Sequence, residues 1–177
     1  LGLAIGAVPA RADPRDALVA RDGLTLHDLP QEASVGTGSP RRAAQLLAVR
    51  PDLTIVDIRG NVDTRLGRVK GLGHYAKGGG KEDLDAVVLA ASGLARLGHS
   101  GTVTEFLDPS VVLPAPAQGA LAVECRTADS RHGKLAKALA RIDDRRTRLA
   151  ATAERAVLSH LEAGCAAPIG ALAQLKP

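Results

Sequence analysis

Aromatic side chains are almost missing: one Tyr, one Phe and no Trp in 177 residues, and no Met either. Leu, Val, Ile and Ala must therefore fill any core, and nucleic-acid binding by base stacking, which needs aromatic platforms, is not expected. Cysteine is equally scarce. The two, Cys125 and Cys165, lie far apart with no Cys-x-x-Cys spacing, which gives neither a disulfide framework nor a zinc signature. No metal is expected, and a reducing, cytoplasmic setting is the default. Internal repeats and low-complexity tracts are lacking too. The opening run Leu-Gly-Leu-Ala-Ile-Gly-Ala-Val-Pro-Ala has no basic segment before it, so it reads as a buried strand instead of a signal sequence. With no Met at its start, the chain is expected to be a fragment.

What is present fits a soluble globular protein: 45% hydrophobic and 24% charged residues. The net charge of +4 and a pI near 9.4 favour an anionic partner without naming one. The positions of the arginines must decide.

From Ala33 the pattern alternates strand and helix. Ala33 to Thr37 reads as a strand, and Ser39-Pro40 starts a helix with Ser as N-cap and Pro in the first turn. Leu53 to Ile58 is a second strand. Asn61 caps a helix that puts Val62, Leu66 and Val69 on one face. Lys70 to Lys81, rich in Gly and Lys, reads as a mobile surface loop; Glu82 after Gly80-Lys81 excludes a P-loop. Asp85 to Ala91 is a third strand, with Ser92 as the cap of a short helix up to Gly98. The fold class expected is α/β, a lobe like those of periplasmic binding proteins with a mixed, largely parallel sheet, plus parts of two flanking domains. Asp13-Pro-Arg-Asp16 reads as a turn or hinge, and Pro114 and Pro116 as a second crossing. Ala120 to Arg126 alternates as a half-buried strand with Cys125 a small hydrophobe inside. Helices follow from about Arg131 to Ile142 and Asp144 to Ala163, the latter ended by Gly164, before a strand begins at Ala167.

Arginine recurs where this pattern turns from strand to helix. Arg41 and Arg42 open one helix, Arg59 and Arg65 flank the next turn, and Arg96 follows the third strand. In a parallel α/β sheet these turns share the carboxyl ends of the strands, where ligands bind. The guanidinium fork suits carboxylates. A single arginine reads most simply as a surface ion-pair partner; five at three turns read as a cleft for a polyanion. Cys165, in the loop before Pro168, is exposed to chemistry by its position, although a lone loop cysteine is more often inert.

Five blocks together resemble a known family. Val35-Gly-Thr-Gly-Ser-Pro-Arg-Arg42, Ile58-Arg-Gly-Asn-Val-Asp-Thr-Arg-Leu66, Leu89-Ala-Ala-Ser-Gly-Leu-Ala-Arg-Leu-Gly98, Leu113-Pro-Ala-Pro-Ala-Gln-Gly119 and Leu161-Glu-Ala-Gly-Cys-Ala-Ala-Pro-Ile-Gly170 are similar, in order, to signature blocks of the porphobilinogen deaminases. The resemblance implies a transferase that condenses four porphobilinogen molecules into hydroxymethylbilane with loss of ammonia. It places a dipyrromethane cofactor on Cys165 through a thioether, and gives Arg41, Arg42, Arg59, Arg65 and Arg96 the acetate and propionate groups to bind. Thr37, Ser39, Asn61, Gln118 and Gly119 become neighbours in that cleft. The implied protein is a cytoplasmic monomer, with porphobilinogen as substrate and neither nucleic acid nor membrane as partner.

The implied division is residues 1–13 as the end of domain 1 and hinge, 14–113 as domain 2, 114–143 as a return crossover, and 144–177 as the start of domain 3. Two departures stand out. Gly38 lacks a hydroxyl that the family block usually carries, and the Lys70 to Lys81 stretch is longer than expected. The family's catalytic aspartate belongs to an N-terminal domain, upstream of Leu1, and no block here matches it, so the chain alone is expected to be inactive. A non-enzymatic anion-binding module of periplasmic-binding-protein type is the alternative.

Overall fold

The structure is a computed structural model that describes residues 2–130, 132–164 and 167–175. In chain order the elements are β1 (Leu3–Ala7), β2 (Asp16–Ala20), β3 (Ser34–Gly36), α1 (Pro40–Val49), β4 (Thr54–Val56), α2 (Val62–Leu66), β5 (Ala86–Ala90), α3 (Ala91–Arg96), β6 (Glu105–Phe106), β7 (Val123–Arg126), α4 (Gly133–Ile142) and α5 (Arg145–His160). Two sheets organise them: a five-stranded sheet ordered β4-β3-β5-β2-β6 and an antiparallel pair β1-β7.

In the larger sheet β3 runs parallel to both β4 and β5, whereas β2 is antiparallel to β5 and β6. The expected mixed, largely parallel α/β lobe is thus present. Strand β2, however, is not in the sequence reading, which saw only a hinge there. Its apolar run lies between Pro14 and the Arg21-Asp22-Gly23 turn, and too few residues remain for a period to emerge. Side chains alternate across the sheet. Leu18, Val88 and Val35 join Leu46 of α1 on one face, while Val19, Val87 and Leu89 join Leu66 of α2 and Leu94 of α3 on the other. Helical cover on both faces explains why β2 and β5 are continuous apolar runs. Every buried apolar residue described is Leu, Val, Ile or Ala, as the lack of aromatics demands.

Ser39 and Asn61 cap α1 and α2 as expected, each accepting from a backbone N–H three residues on, at 3.4 and 2.8 Å. Other expectations fail. Helix α2 ends at Leu66, so Val69 is buried outside it, in a parallel bridge to Leu84. Ser92 lies inside α3, whose first turn has no side-chain cap. Helix α5 stops at His160, and Glu162, at φ 49°, takes the left-handed conformation that Gly164 was expected to supply. Residues 167–175 form no strand; Ala171 donates instead to the Pro114 carbonyl at 2.9 Å and Ala173 to the Glu154 carboxylate at 2.9 Å.

Helix α4 packs under the β1-β7 pair where Gly6 leaves room: a Cβ there would lie 2.6 Å from Leu139 Cδ1 and 2.9 Å from Cys125 Sγ. Cys125 is half-buried, as the small hydrophobe expected.

Asp85 ties the amino end of β5 to its surroundings. Its Oδ1 accepts from Arg21 Nε at 2.9 Å and Lys70 Nζ at 2.8 Å, and its Oδ2 accepts from the Ser34 amide and hydroxyl, each at 2.9 Å. Burial alone would raise the pKa of this carboxyl, but Lys70, Ser34 and Arg21 outweigh it and hold the group well below the ordinary range. A pKa depressed in the folded state stabilises the fold above the unfolded value, about 3.9, and that contribution is lost as pH falls through and below it. Asp85→Asn is therefore expected to cost about 2 kcal/mol at pH 7 and to flatten the loss of stability below pH about 4. Urea titrations at pH 7 and pH 3 check it; an unchanged difference between the two would contradict it.

Candidate functional site: an arginine cleft at the strand ends

Strand β2 runs against its neighbour, and that reversal builds the site. Asp16, its first residue, pairs in register with Ala90 at the carboxyl end of β5. The carboxylate thus arrives at the end of the sheet where the turns after β3, β4 and β5 present their arginines. Asp16 is fully buried. Arg42 reaches its Oδ1 through Nε at 3.0 Å and Nη2 at 2.7 Å, and Arg41 Nη2 lies 2.8 Å from Oδ2.

Arg41 was expected to bind ligand directly, and its placement differs. It is 5% exposed, donates to the Leu113 carbonyl at 2.6 Å and touches Gln118 Oε1 at 3.4 Å. Burial pushes the pKa of its guanidinium down while Asp16 pulls it up, and an arginine stays charged in either case. Arg41 thus anchors the crossover at Leu113 to the sheet.

Arg42, Arg59 and Arg65 do come together. They line a cavity of about 210 Å³ with Gly38, Ser39 and Asp57. Arg42 and Arg65 also line an adjoining one of about 280 Å³ with Asn61 and Gly93. Arg65 is held through Nε by the Gly60 carbonyl at 2.9 Å, which fixes the guanidinium while its terminal amino groups stay available. Arg59 is 91% exposed, with Asp57 3.7 Å away. Gly38, the departure noted above, fits this turn: a Cβ there would sit 2.7 Å from the Ile58 carbonyl oxygen.

Arg96 lies apart from these cavities and donates to the Gly119 carbonyl at 2.9 Å. Thr37 is buried, its hydroxyl accepting from the Ser39 amide at 3.2 Å, and it shapes the turn without facing the cavity. Gln118 bridges Pro14 and Asp16 through Nε2, at 2.7 and 2.9 Å. Gly119 has φ 84°, and a Cβ would fall 2.6 Å from the Ala12 carbonyl, so only glycine lets the two crossings pass this closely. Cys165 lies outside the described residues.

Sequence reasoning missed Asp16 and Glu154. Glu154 is 1% exposed and accepts from both terminal nitrogens of Arg11, at 2.6 and 2.9 Å, and from Ala117 N at 2.5 Å. A carboxylate on the apolar face of α5, in line with Thr147, Ala150 and Ala151, was the available signal.

Chemically, the cavity offers fixed and exposed guanidinium groups to a ligand with several carboxylates. Comparison with known proteins gives the family. Residues 1–134 match the family described as "Porphobilinogen deaminase, dipyromethane cofactor binding domain", and residues 148–176 match "Porphobilinogen deaminase, C-terminal domain". The chain belongs to the porphobilinogen deaminase family. It is 98% identical over its whole length to the porphobilinogen deaminase of Cutibacterium acnes, covering 53% of that protein. Those of Micrococcus luteus and Mycobacterium avium are 58% and 59% identical, over 98% and 97% of this chain and 51% and 50% of theirs. The chain thus spans about half the length of the curated relatives it matches. Among solved structures, a YaeC-family lipoprotein from Enterococcus faecalis aligns over 87% of this chain and 68% of its own at a TM-score of 0.44 and 14% identity. Among the described residues no helix is long and apolar enough to cross a membrane, and no group of three or more His, Cys, Asp or Glu is placed to hold a metal ion.

Proposed function

We propose that this chain supplies the cofactor cleft of a transferase that joins four porphobilinogen molecules head to tail into hydroxymethylbilane, releasing ammonia at each addition, in tetrapyrrole biosynthesis. The observation that carries the reading is the convergence of Arg42, Arg59 and Arg65 on one cavity within the region matched to the cofactor-binding domain. A dipyrromethane bears acetate and propionate carboxylates, and the donors present fit them. Bound through its thioether, it supplies a tethered primer whose terminal pyrrole carbon is nucleophilic.

The chain's own residues position and neutralise. Arg65, braced by Gly60, and Arg59 grip carboxylates of the ligand, and Arg42 adds positive charge at a place fixed by Asp16. Ser39 and Asn61 present polar groups beside them; Arg41, Thr37, Gln118 and Gly119 hold the turns and crossings in place, and Arg96 ties α3 to the crossing at Gly119. Holding many carboxylates in register brings reacting carbons together, which converts encounter into positioning. Cys165 is the attachment point in this reading, and the acid that drives the chemistry belongs to a part of the protein not matched here. The division proposed is a cofactor lobe over residues 14–113, crossings on either side of it, and the start of a further domain from 144. A cytoplasmic monomer with porphobilinogen as its substrate completes the proposal; the anion-binding module is not favoured by the family matches.

Intact and peptide mass spectrometry of the whole protein tests it. A dipyrromethane-sized increment is expected on the peptide holding Cys165 and is expected to vanish in Cys165→Ser. An unmodified Cys165 in protein that turns over porphobilinogen would sink the assignment.

A further inference from the structure

A further cavity, of about 500 Å³, lies beyond Arg59. Arg59 is shared with the 210 Å³ cavity and Asn61 with the 280 Å³ one, so the cleft continues into it. Its far wall is the Gly-Lys loop. Residues 69 and 84 are bridged in parallel, and Leu84 N donates to the Arg68 carbonyl at 2.9 Å, so the chain from 70 to 83 leaves and returns to the same place. Connecting α2 to β5 does not require it.

The excursion is nonetheless built. Glu82 Oε1 accepts from the amides of Gly71 and Gly73 at 2.8 and 3.2 Å, and Gly80 N donates to the Gly73 carbonyl at 3.0 Å. Gly80 lies so close to Gly67 that a Cβ would come within 1.7 Å of the Gly67 oxygen. The wall presents Lys77 and Lys81 to the cavity, opposite Arg59 and Arg68. Arg68 is paired with Asp83, and the one acid in the lining, Asp63, is 2.8 Å from His99 Nε2. Among the described residues no carboxylate lies within ion-pair distance of Lys77 or Lys81. Cations gathered around an open cavity repel one another unless an anion enters. Ammonium groups on flexible stems also tolerate carboxylates at varied positions, where a guanidinium fork demands one geometry.

We propose that Arg59, Lys77 and Lys81 form an additional carboxylate subsite, which takes the acidic side chains of pyrrole rings added after the cleft at Arg42 and Arg65 is filled. The proposal rests on the reading given under Proposed function, and deepens it by giving the Gly-Lys loop the outer rings of the growing chain.

The test uses the whole protein and its Lys77→Ala/Lys81→Ala variant, given limiting porphobilinogen and read by intact mass. Both are expected to carry the resting cofactor mass. In the variant the longest covalent adducts are expected to fall at least fivefold relative to the shortest, and Lys77→Arg/Lys81→Arg is expected to restore them. An adduct ladder equal to wild type overturns the subsite. Calorimetric titration with citrate separates this failure from failure of the underlying reading. If wild-type protein shows no ladder, the transferase reading falls, while at least tenfold weaker citrate binding in the alanine variant still supports a carboxylate site at these lysines. Equal citrate binding by both proteins in that case overturns the site as well.

Discussion

Asp16→Asn is expected to destabilise the protein by about 3–5 kcal/mol, the usual cost of removing one partner from a buried ion pair. The side chain hardly changes in size, so the cost is electrostatic. Asp16 is the charge that faces two guanidiniums at once, and neither has another carboxylate within ion-pair distance among the described residues. Asparagine keeps one acceptor oxygen but no charge, so Arg41, 5% exposed, and Arg42 would both lose their counter-charge, with the Leu113 and Val88 carbonyls as their remaining backbone acceptors. With that oxygen turned toward Arg41, Gln118 would lose one of its two Nε2 acceptors as well. Pairing the change with Arg41→Met removes the orphaned cation, so the double variant is expected to be more stable than Asp16→Asn alone, with a coupling of at least about 1 kcal/mol. Denaturant titration of the four proteins measures this. Strict additivity would mean that Asp16 serves Arg42 alone.

The same cluster marks the limit of what the sequence makes legible. Ser39-Pro40 and Asn61 signal their helix starts because caps are local, satisfied within three residues. Arginines at successive turns converge because a parallel sheet places all such turns at one end. Whether a given arginine faces a ligand or a buried acid is decided by a partner far away in sequence. Arg41 and Arg42 find theirs in Asp16, some 26 positions back, through a strand that reverses direction. Nothing local in Asp16-Ala-Leu-Val-Ala20 announces that reversal, and the Asp13-Pro-Arg-Asp16 stretch that leads into it reads as a hinge.

The C-terminal third was less legible for a related reason. Ala167 to Leu175 carries an apolar pattern compatible with a strand, yet the amides of Ala171 and Ala173 are satisfied by the Pro114 carbonyl and the Glu154 side chain. A backbone held by a side-chain carboxylate leaves no periodic trace. Gly164 looks like a helix terminator by residue type, but α5 ends earlier, at His160 with Leu161 as its cap, and Glu162 takes the positive φ that glycine would adopt at less cost. Only the resemblance gives Cys165 the cofactor; chemistry alone leaves it undistinguished.

Glu154 carries the second large expectation. Its two oxygens receive a bidentate Arg11 together with the amides of Ala117 and Ala173, so one buried carboxylate joins the first crossing, the second crossing, helix α5 and the segment after Cys165. Arg11 in turn donates at 2.9 Å to the carbonyl of Gln118, whose own side chain contacts Asp16. In Glu154→Gln one acceptor oxygen is replaced by a donor that would face Arg11 or an amide N–H, and the 12% exposed guanidinium loses its counter-charge. The cost expected is about 3–5 kcal/mol, seen as a fall in thermal midpoint of about 6–20 °C for a protein of this size class. Arg11→Met/Glu154→Met distinguishes charge from architecture. If the pair matters only as compensated charge, the apolar double variant recovers most of the loss. The amides of Ala117 and Ala173 would still lack an acceptor, so recovery is expected to stop short by about 1–3 kcal/mol. A Glu154→Gln protein with a wild-type midpoint would mean that these four segments are held together by something other than this carboxylate.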